Sequence, residues 1–402
     1  MNKSIYEVLK DRDLIKQIAF EDEFKKLAKD EKFSLYLGID PTANSIHIGH
    51  FIPLMMMSYF QECGHRPIII VGGGTATIGD PSGKTDMRKM LTRDDINNNV
   101  ECIKKQVQKF ISFEGENAAI ILNNADWILI KNYLEFVSNI GIHFNVNRML
   151  AAECYKQRME NGLTFFELNY MIMQAYDFLY LFENENCKLQ IGGDDQWSNM
   201  LAGVDLIRKI HKSGSFCITC PLLLNSEGMK MGKTVNGALW LSKEKTSVYD
   251  FYQYWRNIKD DEVYNVLRML TKLPMEEVNR LSNLEGSSIN EAKKIAAYMI
   301  TQLIHGTDEA NKAKEAAESI FENNSNSANM PTLIVNNANL NILDILIESK
   351  IVPSKSQGRT LIMQGGIFIN DNKVTNENIV ITDTEFILRK GKKTFIKIIV
   401  NK

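Results

Sequence analysis

The chain has 402 residues, 44% hydrophobic and 24% charged, with a formal net charge of -2. That is the composition of a folded globular protein with room for two or three domains, and it excludes a disordered chain and a molecule that is polycationic throughout. The charge is uneven: from Asn341 to the end there are 10 Lys and Arg against 6 Asp and Glu, so a modestly basic tail follows an acidic body, a pointer to nucleic acid.

The N-terminal MNKSIYEVLKDRD is charged and lacks an apolar core, so no secretory signal is expected. No apolar run reaches about 18 residues, so no membrane span is expected either. Residues 1–32 read as helices, with Ile5, Leu9, Ile15, Ile18, Phe24 and Leu27 set among charges. Short apolar strands then alternate with helical stretches: 34–39, 66–71, 118–122 and 188–191. That alternation predicts an α/β fold with a mostly parallel sheet, whose ligands bind beyond the carboxyl ends of its strands. Chemistry is therefore expected after Ile39, Val71 and Ile191.

After Ile39 comes DPTANSIHIGH. Ser45 is a candidate N-cap for a helix starting there, and His47 and His50 then share one face of its first turns, where free amide donors suit a phosphate. Taken alone, the pair reads first as two histidines in an ordinary helix. After Val71 comes GGGTATIGDPSGKTDMR. It misses the P-loop spacing, with three residues between Gly79 and Gly83, and it misses GxGxxG at Thr77. What remains is Asp80, Lys84 and Arg88 in a loop; Lys84 and Arg88 are four apart and can grip an anion together or form a solvated basic face.

In NYMIMQAYDFLYLF, Tyr170, Gln174 and Asp177 form a polar stripe on an apolar helix, which pairs internally or lines a pocket. IGGDDQWSN puts Asp195 and Gln196 at a strand end, as a ligand site or a tight turn. Six cysteines stand at 63, 102, 154, 187, 217 and 220. They are too sparse for a disulfide framework and suit a reducing, cytoplasmic setting. The CxxC at Cys217 and Cys220 reads as part of a buried strand. NSEGMKMGKTVNG, with Lys230 and Lys233, is a candidate phosphate lid or a plain surface loop. Residues 247–321 are helical in pattern, and ENNSNSANM is a polar linker. Two short helices (341–349 and 354–363) and strands at 365–369, 373–381, 384–389 and 394–400 close the chain.

Together these segments resemble the bacterial-type tyrosyl-tRNA synthetases, a class I aminoacyl-tRNA synthetase family, over nearly the whole length. The resemblance rests on YxGxDPTAxSxHIGH, VGGxTxxIGDPSGK, YMxxQAYDF and LQIGGxDQW in this order, and on Lys230-Met231-Gly232-Lys233-Thr234 in place of KMSKS. Asp194 stands where the family often has serine. The resemblance implies a Rossmann-like catalytic domain over 1–235 with a dimer-interface insertion, a helical domain over 236–325, a linker over 326–340 and an S4-like RNA-binding domain over 341–402. It implies that ATP and L-tyrosine give tyrosyl-adenylate, whose tyrosyl group passes to the 3′ end of tRNA(Tyr), with Mg²⁺ accompanying the nucleotide and no protein-held metal.

By the same resemblance, Thr42, His47, His50, Lys84, Arg88, Lys230, Lys233 and Thr234 serve catalysis. Gly38, Asp40, Gly49, Gly193 and Asp195 join His47, His50, Lys230 and Lys233 around ATP. Asp80, Tyr170 and Gln174 hold the substrate ammonium, Gln196 contacts its carboxyl group, and Tyr36 and Asp177 read the phenolic hydroxyl. Lys355 and Arg359 contact RNA, and the enzyme is a homodimer with the region near Phe165 at its interface. Three other readings stand beside this one: a tryptophan-type synthetase, a nucleotidyltransferase sharing the HIGH chemistry, and a catalytically inactive RNA-binding or splicing factor on the same scaffold.

Overall fold

The computed structural model describes residues 3–82, 92–234, 237–319, 332–335, 341–370, 372–377, 379, 381, 383–391 and 394–400. They fall into two compact units: Met1–Thr246 with Tyr254–His305, and Ser247–Gln253 with Gly306–Lys402.

The first unit is built on a six-stranded sheet: β1 (Gln17–Ile18), β2 (Ser34–Ile39), β3 (Arg66–Val71), β4 (Ile120–Asn123), β5 (Cys187–Gly193) and β6 (Phe216–Cys220). Their order is β1-β6-β5-β2-β3-β4, parallel throughout except where β1 meets β6. Leu35, Leu37, Ile68, Ile69, Leu189 and Ile218 are all buried, so the central strands are covered on both faces and read as apolar runs without alternation. The CxxC lies in β6 as expected, and Cys217 and Cys220 are buried free thiols. Two short strands, β7 (Lys233–Thr234) and β8 (Gly237–Ala238), form a separate ribbon.

Residues 1–32 are not helical throughout. Helices α1 (Ile5–Asp11) and α2 (Glu21–Asp30) flank β1. Left-handed backbone at Asp13 (φ 54°) and Phe20 (φ 58°) ends one helix and delays the next, which frees Gln17 and Ile18 to pair with β6. Helix α3 (Phe51–Glu62) is buried at every position from Phe51 to Phe60, as its unbroken apolar sequence requires. After α4 (Arg93–Val107), the connection from β4 to β5 holds α5 (Ala125–Ile128), α6 (Tyr133–Asn139), α7 (Val146–Leu150), α8 (Glu153–Glu160) and α9 (Phe165–Glu185). A capping box fixes the start of α9: Thr164 accepts from the Glu167 amide and Glu167 reaches back to Thr164. Glu167 also meets Arg158 in a buried ion pair at 2.7 Å, and Asn186 ends the helix in left-handed backbone. Helix α10 (Trp197–His211) follows β5. Helices α11 (Val248–Arg256), α12 (Val263–Leu270), α13 (Met275–Ser282), α14 (Ile289–His305) and α15 (Thr307–Ser319) account for the helical pattern after 247.

The second unit ends in a five-stranded sheet of β9 (Thr332–Val335), β10 (Ile367–Ile369), β11 (Asn372–Lys373), β12 (Glu385–Lys390) and β13 (Thr394–Val400), in the order β11-β10-β12-β13-β9. Helices α16 (Ile342–Glu348) and α17 (Lys355–Met363) share its core. Two details differ from the sequence reading. Residues 332–335, assigned to the linker, form a strand parallel to β13. Among the described residues of the expected strand 373–381, only Lys373 lies in a ladder. Val374 and Ile381 are buried in the core without being strand residues, which accounts for the misleading apolar pattern.

Candidate active site

The carboxyl ends of β2, β3 and β5 lie side by side in the sheet, and the loops that leave them carry most of the singled-out residues. Ser45 does not cap a helix. Its hydroxyl lies 2.9 Å from the Ile46 carbonyl oxygen and 3.1 Å from Gln106 Oε1. His47 takes the capping role for a 3-10 turn over Ile48–His50, its Nδ1 accepting from the Gly49 amide at 3.0 Å. An imidazole that accepts at Nδ1 carries its proton on Nε2, which makes His47 a donor on that side of the ring. The His50 ring lies 4.5 Å from that of His47. Burial first, then His47, pushes the His50 imidazolium down to about 3, so His50 is neutral at pH 7. A Cβ on Gly49 would stand 2.7 Å from His47 Cε1, so the capping histidine itself demands glycine. Gly38 is exposed on β2, and a Cβ there would meet nothing within 4 Å; Thr42 is exposed in the loop that follows.

A second cluster sits between the sheet and α9. Tyr36 is 1% exposed, and its hydroxyl has no hydrogen-bond partner among the described residues. Burial, then the Asp177 charge, raises its pKa well above the ordinary phenol value. Asp177 accepts from Trp127 Nε1 at 2.7 Å and from Asn124 Nδ2 at 2.9 Å. Even with two donors, burial pushes its carboxyl up to about 7. Asn124 Nδ2 also reaches Thr75 Oγ1 at 3.0 Å, and its Oδ1 accepts from the Gly74 amide at 2.7 Å. Thr75 in turn donates to Asp40 Oδ1 at 3.1 Å, while Tyr170 donates to Asp40 Oδ2 at 2.9 Å. One hydrogen-bonded chain thus joins Asp177 to Asp40. The polar stripe of α9 is divided along it, with Tyr170 at one end and Asp177 at the other. Tyr170 is tied to Asp40, while Asp80 accepts from Gln196 Nε2 at 2.7 Å and from the Ser82 amide at 2.9 Å. Gln174 Oε1 is buried without a partner among the described residues.

The sequence reading missed Asn124, Trp127 and Thr75. The signal was there: LNNADW leaves the end of a strand just as the other site loops do. Asp194 also has a defined place. Its Oδ1 accepts from Gln17 Nε2 at 2.7 Å and Thr219 Oγ1 at 3.0 Å, which fastens β1 and β6 to the end of β5. Next to it, Asp195 has its pKa raised by burial first and by Asp80, with Lys230 opposing. A Cβ on Gly193 would meet Asp195 Oδ1 at 2.6 Å.

Lys230 is exposed and pairs its backbone with Leu224. Gly232 has φ +81°, its amide donates to the Tyr254 hydroxyl at 2.7 Å, and a Cβ there would stand 2.0 Å from Ile48 Cγ2. Glycine at this point is a requirement of the left-handed backbone and of the contact with the His47–His50 turn. Lys84 and Arg88 lie outside the described residues, as do the side chains of Lys233 and Thr234. In the second unit, Lys355 pairs with Asp344 at 2.6 Å and Arg359 with Glu377 at 3.2 Å.

Comparison with known proteins decides the family. The family of class I tRNA synthetases (W and Y) matches residues 28–322, and the tyrosine–tRNA ligase SYY-like C-terminal domain matches residues 322–398. A tyrosine–tRNA ligase of Clostridium tetani is 55% identical over 407 residues, covering 100% of both chains. The chain belongs to the tyrosine–tRNA ligase family. A second ligase of that name, from Clostridium perfringens, is 54% identical over 404 residues and covers 99% of each chain. Among solved structures, a C-terminally truncated mitochondrial tyrosyl-tRNA synthetase of Aspergillus nidulans aligns with a TM-score of 0.72 at 28% identity, over 80% of this chain and 95% of that one. The tyrosyl-tRNA synthetase of Archaeoglobus fulgidus, solved with L-tyrosine, shares the fold with a TM-score of 0.59 at 17% identity, over 77% of this chain and 99% of that one. Relationship over the full length supports the ligase reading and not the inactive scaffold. As a tyrosine–tRNA ligase, a class I synthetase, the protein uses ATP.

Proposed function

We propose that the two clusters are the two halves of one site, at which L-tyrosine attacks ATP and the activated tyrosine then passes to tRNA(Tyr). The carrying observation is the buried Tyr36 hydroxyl, without a partner, beside an Asp177 carboxylate oriented by Trp127 and Asn124. A phenol supplies the missing hydrogen-bond partner. Phenylalanine leaves both groups unsatisfied, which disfavours it. Asp80, Tyr170 and Gln174 face the substrate ammonium, and Gln196, held by Asp80, its carboxyl group.

The tyrosine carboxylate attacks the α-phosphorus and the bond to pyrophosphate breaks. A 3′-terminal ribose hydroxyl of the tRNA then attacks the tyrosyl carbonyl carbon, and AMP leaves. No side chain forms a covalent intermediate; the protein positions reactants and stabilises phosphate charge. His47, through Nε2–H, works with Thr42, Lys84, Arg88, Lys230, Lys233 and Thr234 on the phosphates. Gly38, Asp40, Gly49, neutral His50, Gly193 and Asp195 hold adenosine. Among the described residues no group of three or more His, Cys, Asp or Glu is placed to hold a metal ion. Mg²⁺ in this reading arrives on the phosphate oxygens of ATP. All six cysteines are free, which fits a reducing cytoplasm, and no described helix is long and apolar enough to cross a membrane. A second copy of the chain completes the functional unit.

The test is exchange of labelled pyrophosphate into ATP without tRNA, with tyrosine, phenylalanine and tryptophan in parallel. Exchange with tyrosine alone is expected. In a Tyr36→Phe, Asp177→Asn double variant the preference for tyrosine over phenylalanine should collapse; if it survives, the pocket is elsewhere. Exchange supported by tryptophan would instead assign the tryptophan-type activity.

A further inference from the structure

The C-terminal sheet divides its side chains strictly by face. The core around α16 and α17 takes Ile367 and Ile369, Phe386 and Leu388, Ile396 and Ile398, and Leu333 and Val335. Their alternates point to the other face, as the strand period of two requires. On that outer face the cross-strand register sets Lys373, Phe368, Arg389 and Phe395 in one row across β11, β10, β12 and β13. Arg389 lies 3.8 Å from the Phe368 ring centroid and 5.9 Å from that of Phe395, so the guanidinium sits between two rings. A further cation on this face, Lys397, faces Ile387 across the ladder and pairs with Glu385 at 2.6 Å. Among the described residues of this face, three cations against one carboxylate, interleaved with aromatic rings, complement a polyanion that carries flat bases.

We propose that this outer face is an RNA-stacking platform on which unpaired tRNA bases lie against Phe368 and Phe395, with Arg389, Lys373 and Lys397 on the backbone phosphates. The proposal rests on the ligase reading for its partner, and it adds the sheet face to the contact expected at Lys355 and Arg359. Two strand spacings separate the rings by roughly 10 Å, enough for each to take its own base. Phe368 and Phe395 are half-buried on this face; aromatic rings on a sheet face stack splayed bases with little dependence on base identity.

The test uses the full-length protein. A Phe368→Leu, Phe395→Leu double variant keeps the face apolar but removes the rings, and it should raise the KM for tRNA in aminoacylation about tenfold. Arg389→Gln should flatten the dependence of tRNA affinity on salt. Ultraviolet cross-linking of tRNA to the unaltered protein should yield peptides that contain Phe368 or Phe395. A tRNA KM within twofold of the unaltered value, with cross-links confined to other peptides, would overturn the platform. So would leucine variants that change only the sedimenting mass, which would make the face a protein contact. Tyrosine-dependent exchange without tRNA separates the two claims: its absence from the unaltered protein sinks the ligase reading, while the cross-link still reports on the platform.

Discussion

His65 shows how one buried side chain ties stability to pH. It is 0% exposed, packed 4.3 Å from the Phe33 ring and 5.5 Å from that of Phe60, and neither ring nitrogen has a hydrogen-bond partner among the described residues. Burial first, then Lys32, pushes its pKa down to about 4, against an ordinary 6.5. The unfolded chain therefore takes up a proton that the folded chain resists. The stabilising contribution is complete above pH 6.5 and is lost as the pH falls towards 4. His65→Phe should remove that part of the pH dependence, so its urea midpoint should fall less than that of the unaltered protein between pH 6.5 and 4; parallel curves would refute the assignment. Of the candidate site residues, Tyr170, Gln174 and Asp177 stand out in the sequence because a polar stripe on an apolar helix needs a reason, whereas Tyr36 enters only through the family resemblance. Asn124, Trp127 and Thr75 did not stand out, because they hold Asp177 and Asp40 from strand ends 35 to 53 residues away in the chain, and the strand-end position of LNNADW does not by itself say which carboxylate is held.

At the scale of elements, the strands of the parallel sheet were legible because both of their faces are buried, while short or edge elements were not. β1 has two residues and no pattern of its own. It exists because backbone pairs join Gln17 to Thr219 and Ile18 to Ile218, and because Asp194 accepts from both Gln17 and Thr219. The start of the helix after β2 was misplaced for a similar reason. Ser45 is drawn away by Gln106 of α4, and His47 caps its own turn. β9 was hidden by the polar run before it. The clamp at Asp194 allows a direct check. Asp194→Ala leaves two part-buried donors without their acceptor, at a cost of about 1–3 kcal/mol. Thermal unfolding should shift down accordingly, and Asp194→Asn, which keeps one acceptor oxygen, should recover part of the loss. Equal stability of the alanine variant and the unaltered protein would show that the clamp does not hold β1.

The case for a second copy at the scale of the molecule starts from α6, which cannot stand alone. It has seven residues, none buried, and Tyr133 and Leu134 are 60% and 74% exposed. A helix this short is marginal in water without tertiary packing, and here Phe136 alone of its large apolar side chains packs on the core, 5.4 Å from the Tyr176 ring, while Tyr133, Leu134 and Val137 stay exposed. The same β4-to-β5 connection exposes Ile130 at 79%, Ile142 at 76% and Phe165 at 67%. Large apolar residues concentrated in this way mark an interaction surface. The sequence could not show this, since an apolar residue that meets a partner chain reads like one that meets its own core. We expect the unaltered protein to sediment at twice 45.9 kDa. Leu134→Asp should move the population towards a single chain. Because α9 runs from exposed Phe165 to Asp177 of the proposed tyrosine pocket, the separated chain should also show a higher KM for tyrosine in pyrophosphate exchange. Sedimentation of the unaltered protein as one chain at micromolar concentration would refute the second copy. A monomeric variant with unchanged KM would show that α9 holds its pocket end without help from the exposed one.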